Sequence, residues 1–259
     1  MGKVWFVGAG PGAVDMITVR GRELLARAGA ILYAGSLVSP RHLDFAPEGC
    51  VCADSSAMTL DEMVAWLVEQ AGRHTTVIRL QTGDPSLYGA LPEMVRPLTR
   101  AGVQVEVVAG VPSFAAAAAA AMESLTLPES VQTVILTRAP GRTPMPDGER
   151  LRELARHGTT LCLHLSITLW PVIREELFAA GWPASAPVVV VGKATWPQEE
   201  RIVRGALADI EEACRQADVR SQAMILLGPA LGACQVDAAP HSRLYAPEFG
   251  HGFRSSRET

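Results

Sequence analysis

The sequence predicts an α/β protein with two α/β domains, the N-terminal one on a mainly parallel sheet and the C-terminal one on a mixed sheet. Three observations carry that expectation. Up to residue 113, short β-branched runs alternate with segments of helical spacing, as in a parallel layer. Three of the runs end in glycine-containing turns: Gly8-Ala9-Gly10-Pro11-Gly12, Thr82-Gly83-Asp84-Pro85-Ser86-Leu87-Tyr88-Gly89 and Ala109-Gly110-Val111-Pro112-Ser113. Beyond residue 113, short strands follow one another more directly, which implies mixed pairing. The expected domains are 1–113 and 114–240. A tail over 241–259, with Arg, Ser, Gly and His and few aliphatics, is expected to be mobile or draped on a partner.

The elements follow in order. Lys3–Val7 reads as a strand, and Thr18 caps a helix over Val19–Ala28 whose Leu24, Leu25 and Ala28 share a face. Ala30–Tyr33 is a second strand, and Gly49–Ala53 a short extended run. Thr59 followed by Glu62 forms a capping box, and Leu60, Met63, Val64, Leu67 and Val68 give the stripe of a core-facing helix. Thr76–Leu80 is a buried strand, Ala90–Arg100 a helix, Val103–Val108 a strand, and Ala115–Ala121 a tightly packed helix. In the second half, strands are expected over Val131–Thr137, Thr160–Leu165, Pro187–Val191, Arg201–Arg204 and Ala223–Leu227. Helices are expected over Glu149–His157, Pro171–Ala180, with proline at its start, and Ala206–Gln216.

Composition excludes several classes. The chain has 259 residues, 48% hydrophobic and 19% charged, which marks a compact globular protein. A net charge of −4 argues against general nucleic-acid or anionic-membrane binding. No apolar run reaches the roughly 18–20 residues that span a bilayer. The N-terminus has no signal-peptide layout, since glycines interrupt its apolar part. Cys50, Cys52, Cys162, Cys214 and Cys234 are odd in number and lack zinc or framework spacing, so reduced thiols in the cytoplasm and no metal site are expected.

The turns carry the chemistry. Gly83 permits a positive φ or close backbone approach, and Pro85 directs the chain past Asp84. Asp84 either caps the following helix or serves a ligand at the carboxyl end of the strand, where open parallel sheets bind. The first turn departs from G-x-G-x-x-G: its spacing is Gly8-x-Gly10-x-Gly12, Ala13 takes the third-glycine place, and Pro11 lacks an N–H for a pyrophosphate. No Lys-Ser/Thr pair completes a P-loop. An NAD-linked oxidoreductase is therefore the weaker reading.

Taken as a set, Gly8–Gly12 with Asp15-Met16-Ile17-Thr18, and Gly83–Gly89, resemble the tetrapyrrole methylases, the class III S-adenosylmethionine-dependent methyltransferases of cobalamin and sirohaem synthesis. The resemblance runs from Lys3 to about Leu231. Tyr33-Ala34-Gly35-Ser36-Leu37-Val38 and Asp54-Ser55-Ser56-Ala57-Met58-Thr59-Leu60 look like the branch that methylates precorrin-4 at C11, metal-free first and cobalt-containing as the alternative.

The resemblance implies a homodimer, a tetrapyrrole substrate, and S-adenosylmethionine bound in an active-site cleft between the two α/β domains. By motif, it implies cofactor contacts from Pro11, Thr82, Gly83, Asp84, Leu87, Tyr88, Ser113 and Phe114. From the second domain it implies Leu165, Ala194, Thr195 and the Leu227-Gly228-Pro229 turn. Many relatives carry an acidic residue where this chain has Ala13, which weakens any role for a carboxylate there.

The chemistry fits such a residue set. A sulfonium methyl is already activated, so alignment and exclusion of water do most of the work and no triad is required. No residue is assigned as catalytic; Asp84 is the candidate for an electrostatic or positioning role. Substrate carboxylates call for cations, with Arg41, Arg138, Arg142 and Lys193 as candidates and Ser36 and Ser55 as possible macrocycle contacts. His42 and His164 are candidates to orient a carboxylate or relay a proton, against the plainer role of hydrogen-bonded structural residues.

Overall fold

The computed structural model describes residues 1–141, 143–236 and 241–256. The chain divides into two compact units, Met1–Ala116 with Lys193–Glu200, and Ala117–Gly192 with Arg201–Thr259.

The first unit is a five-stranded sheet, all parallel: β1 (Lys3–Gly8), β2 (Ala30–Tyr33), β3 (Val51–Asp54), β4 (Thr76–Gln81) and β5 (Gln104–Val108), in the order β3-β2-β4-β1-β5. Strand alternation sends its apolar residues to two faces. Val4, Phe6, Leu32 and Val77 pack with helices α2 (Leu60–Arg73) and α3 (Leu91–Arg100) through Leu67, Ala71, Met94 and Leu98. Val7, Ile31, Ile78 and Leu80 pack with α1 (Val19–Leu25) through Leu24 and Leu25. Thr18 caps α1 by accepting from the Gly21 N–H, and both halves of the Thr59–Glu62 capping box form. The α1 helix stops at Leu25 and not at Ala28, because the next residues tighten to three-residue turns, Arg27 N–H to Leu24 and Ala28 N–H to Leu25. The alanine-rich helix α4 spans Ser113–Ala120.

The second unit carries a mixed sheet of β6 (Val134–Arg138), β7 (Thr160–His164), β8 (Pro187–Gly192), β9 (Arg201–Ala206) and β10 (Ala223–Leu227), in the order β6-β7-β10-β8-β9. Only β6 and β7 run parallel; β10 is antiparallel to both its neighbours. Leu161, Leu163, Val188, Val190 and Ile225 form one core with helices α5 (Leu151–Ala155), α6 (Trp170–Ala179) and α7 (Ile210–Gln216). Four elements are shorter than the sequence predicts, β7 by one residue, ending at His164. Val131 closes a small bridge with Leu127, so β6 starts at Val134. A 3-10 turn over Asp147–Glu149 precedes α5, and β9 extends to Ala206, which delays α7 to Ile210. Glu123 is a buried carboxylate that accepts from the Gly232 N–H at 2.7 Å and pairs with Arg204 at 3.4 Å. Within 241–256, Arg254 Nη2 donates to the carbonyls of Leu244, Ala246 and Phe249 and closes a loop; residues 257–259 of the expected tail lie outside the described residues.

Candidate functional site

Because all five strands of the first unit are parallel, the turns after β1 and β4 emerge side by side on one edge. The helix after β1 packs on one face of the sheet and the helix after β4 on the other. The adjacent β1–β4 pair is therefore a topological switch point, the place in an open α/β sheet where a crevice forms.

Here the backbone closes to contact. Gly10 and Gly83 form a two-way bridge, Gly83 N–H to Gly10 O at 2.8 Å and Gly10 N–H to Gly83 O at 3.3 Å. A Cβ on Gly8 would sit 2.5 Å from Gly110 Cα, and one on Gly110 would overlap the Gly83 carbonyl oxygen and approach Gly8 Cα to 2.8 Å. One on Gly83, where φ is +61°, would lie 3.7 Å from Ser113 N. The three turns thus meet glycine on glycine: at Gly8 and Gly110 a larger side chain is excluded by backbone atoms, and at Gly83 by the positive φ rather than by space.

Asp84 pins this arrangement. Its Oδ1 accepts from the Ser86 N–H at 2.8 Å and hydroxyl at 2.5 Å, and its Oδ2 accepts from the Gly110 N–H at 2.9 Å. Partial burial works to raise the carboxyl, but the bonds from the Ser86 hydroxyl, Gly110 and Ser86 backbone outweigh it and hold Asp84 below the usual carboxylate range. Asp84 does not cap the next helix: the N-cap of α3 is Ala90, in a left-handed conformation with no side-chain cap. Thr82, Leu87 and Tyr88 lie on the same turn, Tyr88 exposed and at φ +55°, and Ser113 and Phe114 open α4 beside it.

The segment Lys193–Glu200, which links β8 to β9, clasps the first turn in the same unit. Thr195 Oγ1 accepts from the Ala13 N–H at 3.0 Å, and Trp196 Nε1 donates to the Pro11 carbonyl at 3.1 Å. A Cβ on Gly12 would lie 2.6 Å from Trp196 Nε1, so the indole lies directly on that glycine. Glu200 accepts from the Thr195 N–H at 2.6 Å, and Lys193 pairs with Glu199. Lys193 and Thr195 hold φ of +47° and +68°, strain that these contacts sustain. A dinucleotide reading fails on geometry as well as spacing, because a 3-10 turn over Val14–Met16 and the Thr18 cap separate the glycines from α1. Sequence reasoning missed Trp196 and Gly110. Gly110 was legible as part of a third glycine turn, whereas nothing local marks Trp196.

In the second unit the candidates divide. Leu165 follows β7, exposed and at φ +54°. Because β10 runs antiparallel to β7, with Leu227 opposite Leu161, the Leu227-Gly228-Pro229 turn leaves the sheet at the other edge. A Cβ on Gly228 would meet Thr160 Cα at 2.8 Å, at the start of β7. The structure therefore does not bring Leu227, Gly228 and Pro229 together with Leu165. The end of β8 at Gly192, which leads into Lys193, Ala194 and Thr195, does share Leu165's edge: Gly192 pairs with Ala223, and Ile225 with Leu163.

The substrate candidates are mostly engaged elsewhere. Arg138 donates to the carbonyls of Thr143 and Pro144 in its own loop, and Lys193 is taken by Glu199. Ser55 is buried, donating to the Tyr33 carbonyl and accepting from Arg79. Arg41 and Ser36 are exposed, and Arg142 lies outside the described residues.

His42 is buried between two backbone carbonyls, Nδ1 3.0 Å from Ser39 O and Nε2 3.0 Å from Ala9 O, which makes it a brace for the first turn rather than a carboxylate ligand. His164 is buried, and burial pushes its imidazole down to about 4. The folded protein thus keeps His164 neutral while the unfolded chain takes up a proton below about 6.5. Stability from this residue is complete above that pH and is lost as pH falls toward 4. Urea unfolding is expected to show about 2 kcal/mol less stability at pH 5 than at pH 7, and His164→Gln to flatten that slope.

Residues 3–211 match the family model of the Tetrapyrrole (Corrin/Porphyrin) Methylases. A cobalt-precorrin-4 C(11)-methyltransferase of Priestia megaterium is 47% identical over 97% of each chain. A precorrin-4 C(11)-methyltransferase of a Sinorhizobium species is 42% identical over 98% of this chain and 99% of its own. Among solved structures, a cobalt precorrin-4 methyltransferase superposes with a TM-score of 0.85 at 47% identity, covering 87% of this chain and 94% of that one. A uroporphyrin-III C-methyltransferase from Thermus thermophilus complexed with S-adenosyl homocysteine gives 0.72 at 31% identity, covering 88% and 92%.

Proposed function

The chain belongs to the tetrapyrrole (corrin/porphyrin) methylases, and from that premise we propose that it is an S-adenosylmethionine-dependent C-methyltransferase of cobalamin biosynthesis, methylating precorrin-4 at C11 to give precorrin-5. The observation that carries the reading is the meeting of three glycine turns at the β1–β4 switch point, with Asp84 fixed across two of them. Backbone turns carrying the ionised Asp84 carboxylate fit a cationic cofactor better than a polyanion. When bound, S-adenosylmethionine supplies an activated methyl on a sulfonium.

Pro11, Thr82, Gly83, Asp84, Leu87, Tyr88, Ser113 and Phe114 would hold the cofactor, with Ala194 and Thr195 of the same unit as further contacts; Leu165 stays a candidate from the resemblance alone. Leu227, Gly228 and Pro229 leave their sheet at the opposite edge from Leu165, so the two groups are alternative and not joint candidates. Asp84 keeps a lone pair beyond its three bonds, from which it can orient an ammonium group or offset the sulfonium charge. The turns' remaining task is alignment, worth up to roughly 7–11 kcal/mol of barrier when the reacting atoms are set in line. Arg41, exposed on the 3-10 turn Pro40–Phe45, and Ser36, exposed after β2, are candidates to meet the substrate.

Relatives of both names span nearly the whole chain, so the metal-free and the cobalt-containing substrate are both to be tried; the sequence reading puts the metal-free form first, and the 47% relative is named for the cobalt form. We place the enzyme in the cytoplasm as a homodimer. Five free thiols support a reducing compartment, and no helix among the described residues is long and apolar enough to cross a membrane.

The test is incubation with methyl-labelled S-adenosylmethionine and each form of precorrin-4, reading pigment mass and label position. One methyl added at C11 is the expected product. Tight cofactor binding with no transfer to either form would overturn the substrate and keep the cofactor.

A further inference from the structure

Two loops on the same sheet edge, 34–38 after β2 and 55–58 after β3, are tied together by polar contacts that lie outside the glycine turns. Arg79, in β4, is 5% exposed. Its Nη1 donates to Ser55 Oγ at 2.9 Å and to the Leu32 carbonyl at 3.4 Å, and Ser55 Oγ donates onward to the Tyr33 carbonyl at 3.1 Å. Beside this relay, the Asp54 carboxylate accepts from the Gly35 N–H at 3.0 Å and the Ser56 N–H at 2.9 Å. The approach is close enough that a Cβ on Gly35 would overlap the Asp54 carboxylate. One guanidinium and one carboxylate thus lock three strand ends and two loops into a single rim.

On stability alone the arrangement is a poor one. Arg79 Nε is buried with no hydrogen-bond partner. Burial pushes the guanidinium down to about 10, against the pull of Asp54. An apolar side chain of similar length would fill the space without desolvating a charge. The value of Arg79 therefore lies in what it holds. What it holds are the loops bearing Ser36 and the Asp54–Met58 stretch, on the same edge of the sheet as the glycine turns: β2 is the neighbour of β4, and β3 lies one strand further out.

We propose that Arg79, acting through Ser55 and with Asp54, is a positioning residue for the tetrapyrrole: it holds the 34–38 and 55–58 loops as a fixed rim that sets affinity for the macrocycle and not for the cofactor. This rests on the methyltransferase reading above.

The experiment compares wild type, Arg79→Met, Arg79→Lys, Ser55→Ala and the Arg79→Met/Ser55→Ala double variant. Each is measured for KM and kcat with the accepted form of precorrin-4, for S-adenosylmethionine Kd by calorimetry, and for Tm. Arg79→Met is expected to raise KM between about tenfold and a hundredfold, as a displaced positioning element does, with kcat and cofactor Kd little changed. The double variant should do no worse than the more damaging single one, because both cut the same relay. Lysine should recover only part, reaching one acceptor of the two. An unchanged KM overturns the proposal, as does a joint shift of KM, kcat and cofactor Kd with a falling Tm, the signature of a merely structural role. Should Arg79→Met not fold, Ser55→Ala decides by the same readings. Should wild type methylate neither form of precorrin-4, the functional reading fails separately, and uroporphyrin III binding followed by absorbance becomes the readout. Weaker binding by the variants than by wild type then supports the rim; equal binding, or none by wild type, overturns it.

Discussion

Asp84→Asn is expected to lower methyl-transfer kcat/KM by about a hundredfold to a thousandfold, the scale of losing a pre-organised electrostatic group. The substitution is nearly isosteric, so the loss is electrostatic and not steric. An amide can present only one acceptor, while Asp84 accepts from Ser86 on one oxygen and from the Gly110 N–H on the other. One of those bonds must turn into a donor–donor contact, and the turn after β5 loses its tie to the turn after β4. The stability cost is expected at about 2 kcal/mol at neutral pH, given hydrogen bonds to a charged group in a half-buried setting. Its pH dependence has a definite sign. The folded carboxyl is held below its unfolded value, so its contribution is present above about pH 4 and fades as pH falls through the folded-state value. The stability gap between wild type and Asp84→Asn should therefore be constant from pH 7 to 5 and shrink below 4. Calorimetric S-adenosylmethionine binding separates the roles. A variant that loses the 2 kcal/mol but binds cofactor as wild type does would reduce Asp84 to a structural tie.

Much of this site was legible in the chain because its signals are local. Five strand ends on one edge follow from alternation of strands and helices, and the Thr59–Glu62 box and the Thr18 cap are written within four residues. What escaped is long-range or directional. Thr195 and Ala13 are 182 residues apart, and Trp196 meets Pro11 across 185, so no window of periodicity contains either pair. Asp84 looked equally suited to capping α3, since an Asp before a helix reads the same whether its partner is three residues on or 26 away at Gly110. The separation of the Leu227-Gly228-Pro229 turn from Leu165 is hidden in the sequence for a different reason. In a parallel sheet every carboxyl end lies on one edge, but in the mixed sheet β10 runs against β7, and strand direction leaves no mark on hydrophobic patterning. Arg79 was hidden inside a run that reads as an ordinary buried strand, where its charge counts as an exception to the pattern and not as a signal.

Glycine-to-alanine changes at two positions should separate packing of the site from general tolerance. At Gly110 the added methyl would overlap the Gly83 carbonyl oxygen and sit 2.8 Å from Gly8 Cα, and both obstacles are backbone. Relief requires the turns after β4 and β5 to part, which also lengthens the Gly110–Asp84 bond. Overpacking of this kind costs about 1–3 kcal/mol, and nothing flexible is available to absorb it. Because the same displacement moves the cofactor contacts, transfer activity should fall more than a hundredfold. Gly72 makes the contrast. It lies in α2, has no positive φ, and an added Cβ there meets nothing within 4 Å. Gly72→Ala should therefore stabilise by about 0.5–1 kcal/mol, from helix propensity and a less disordered unfolded chain, with activity unchanged. Thermal unfolding and methyl transfer on the two variants read this directly. Equal behaviour of Gly110→Ala and Gly72→Ala would mean that the three turns do not need to touch, and the site drawn from their contact would fall with them.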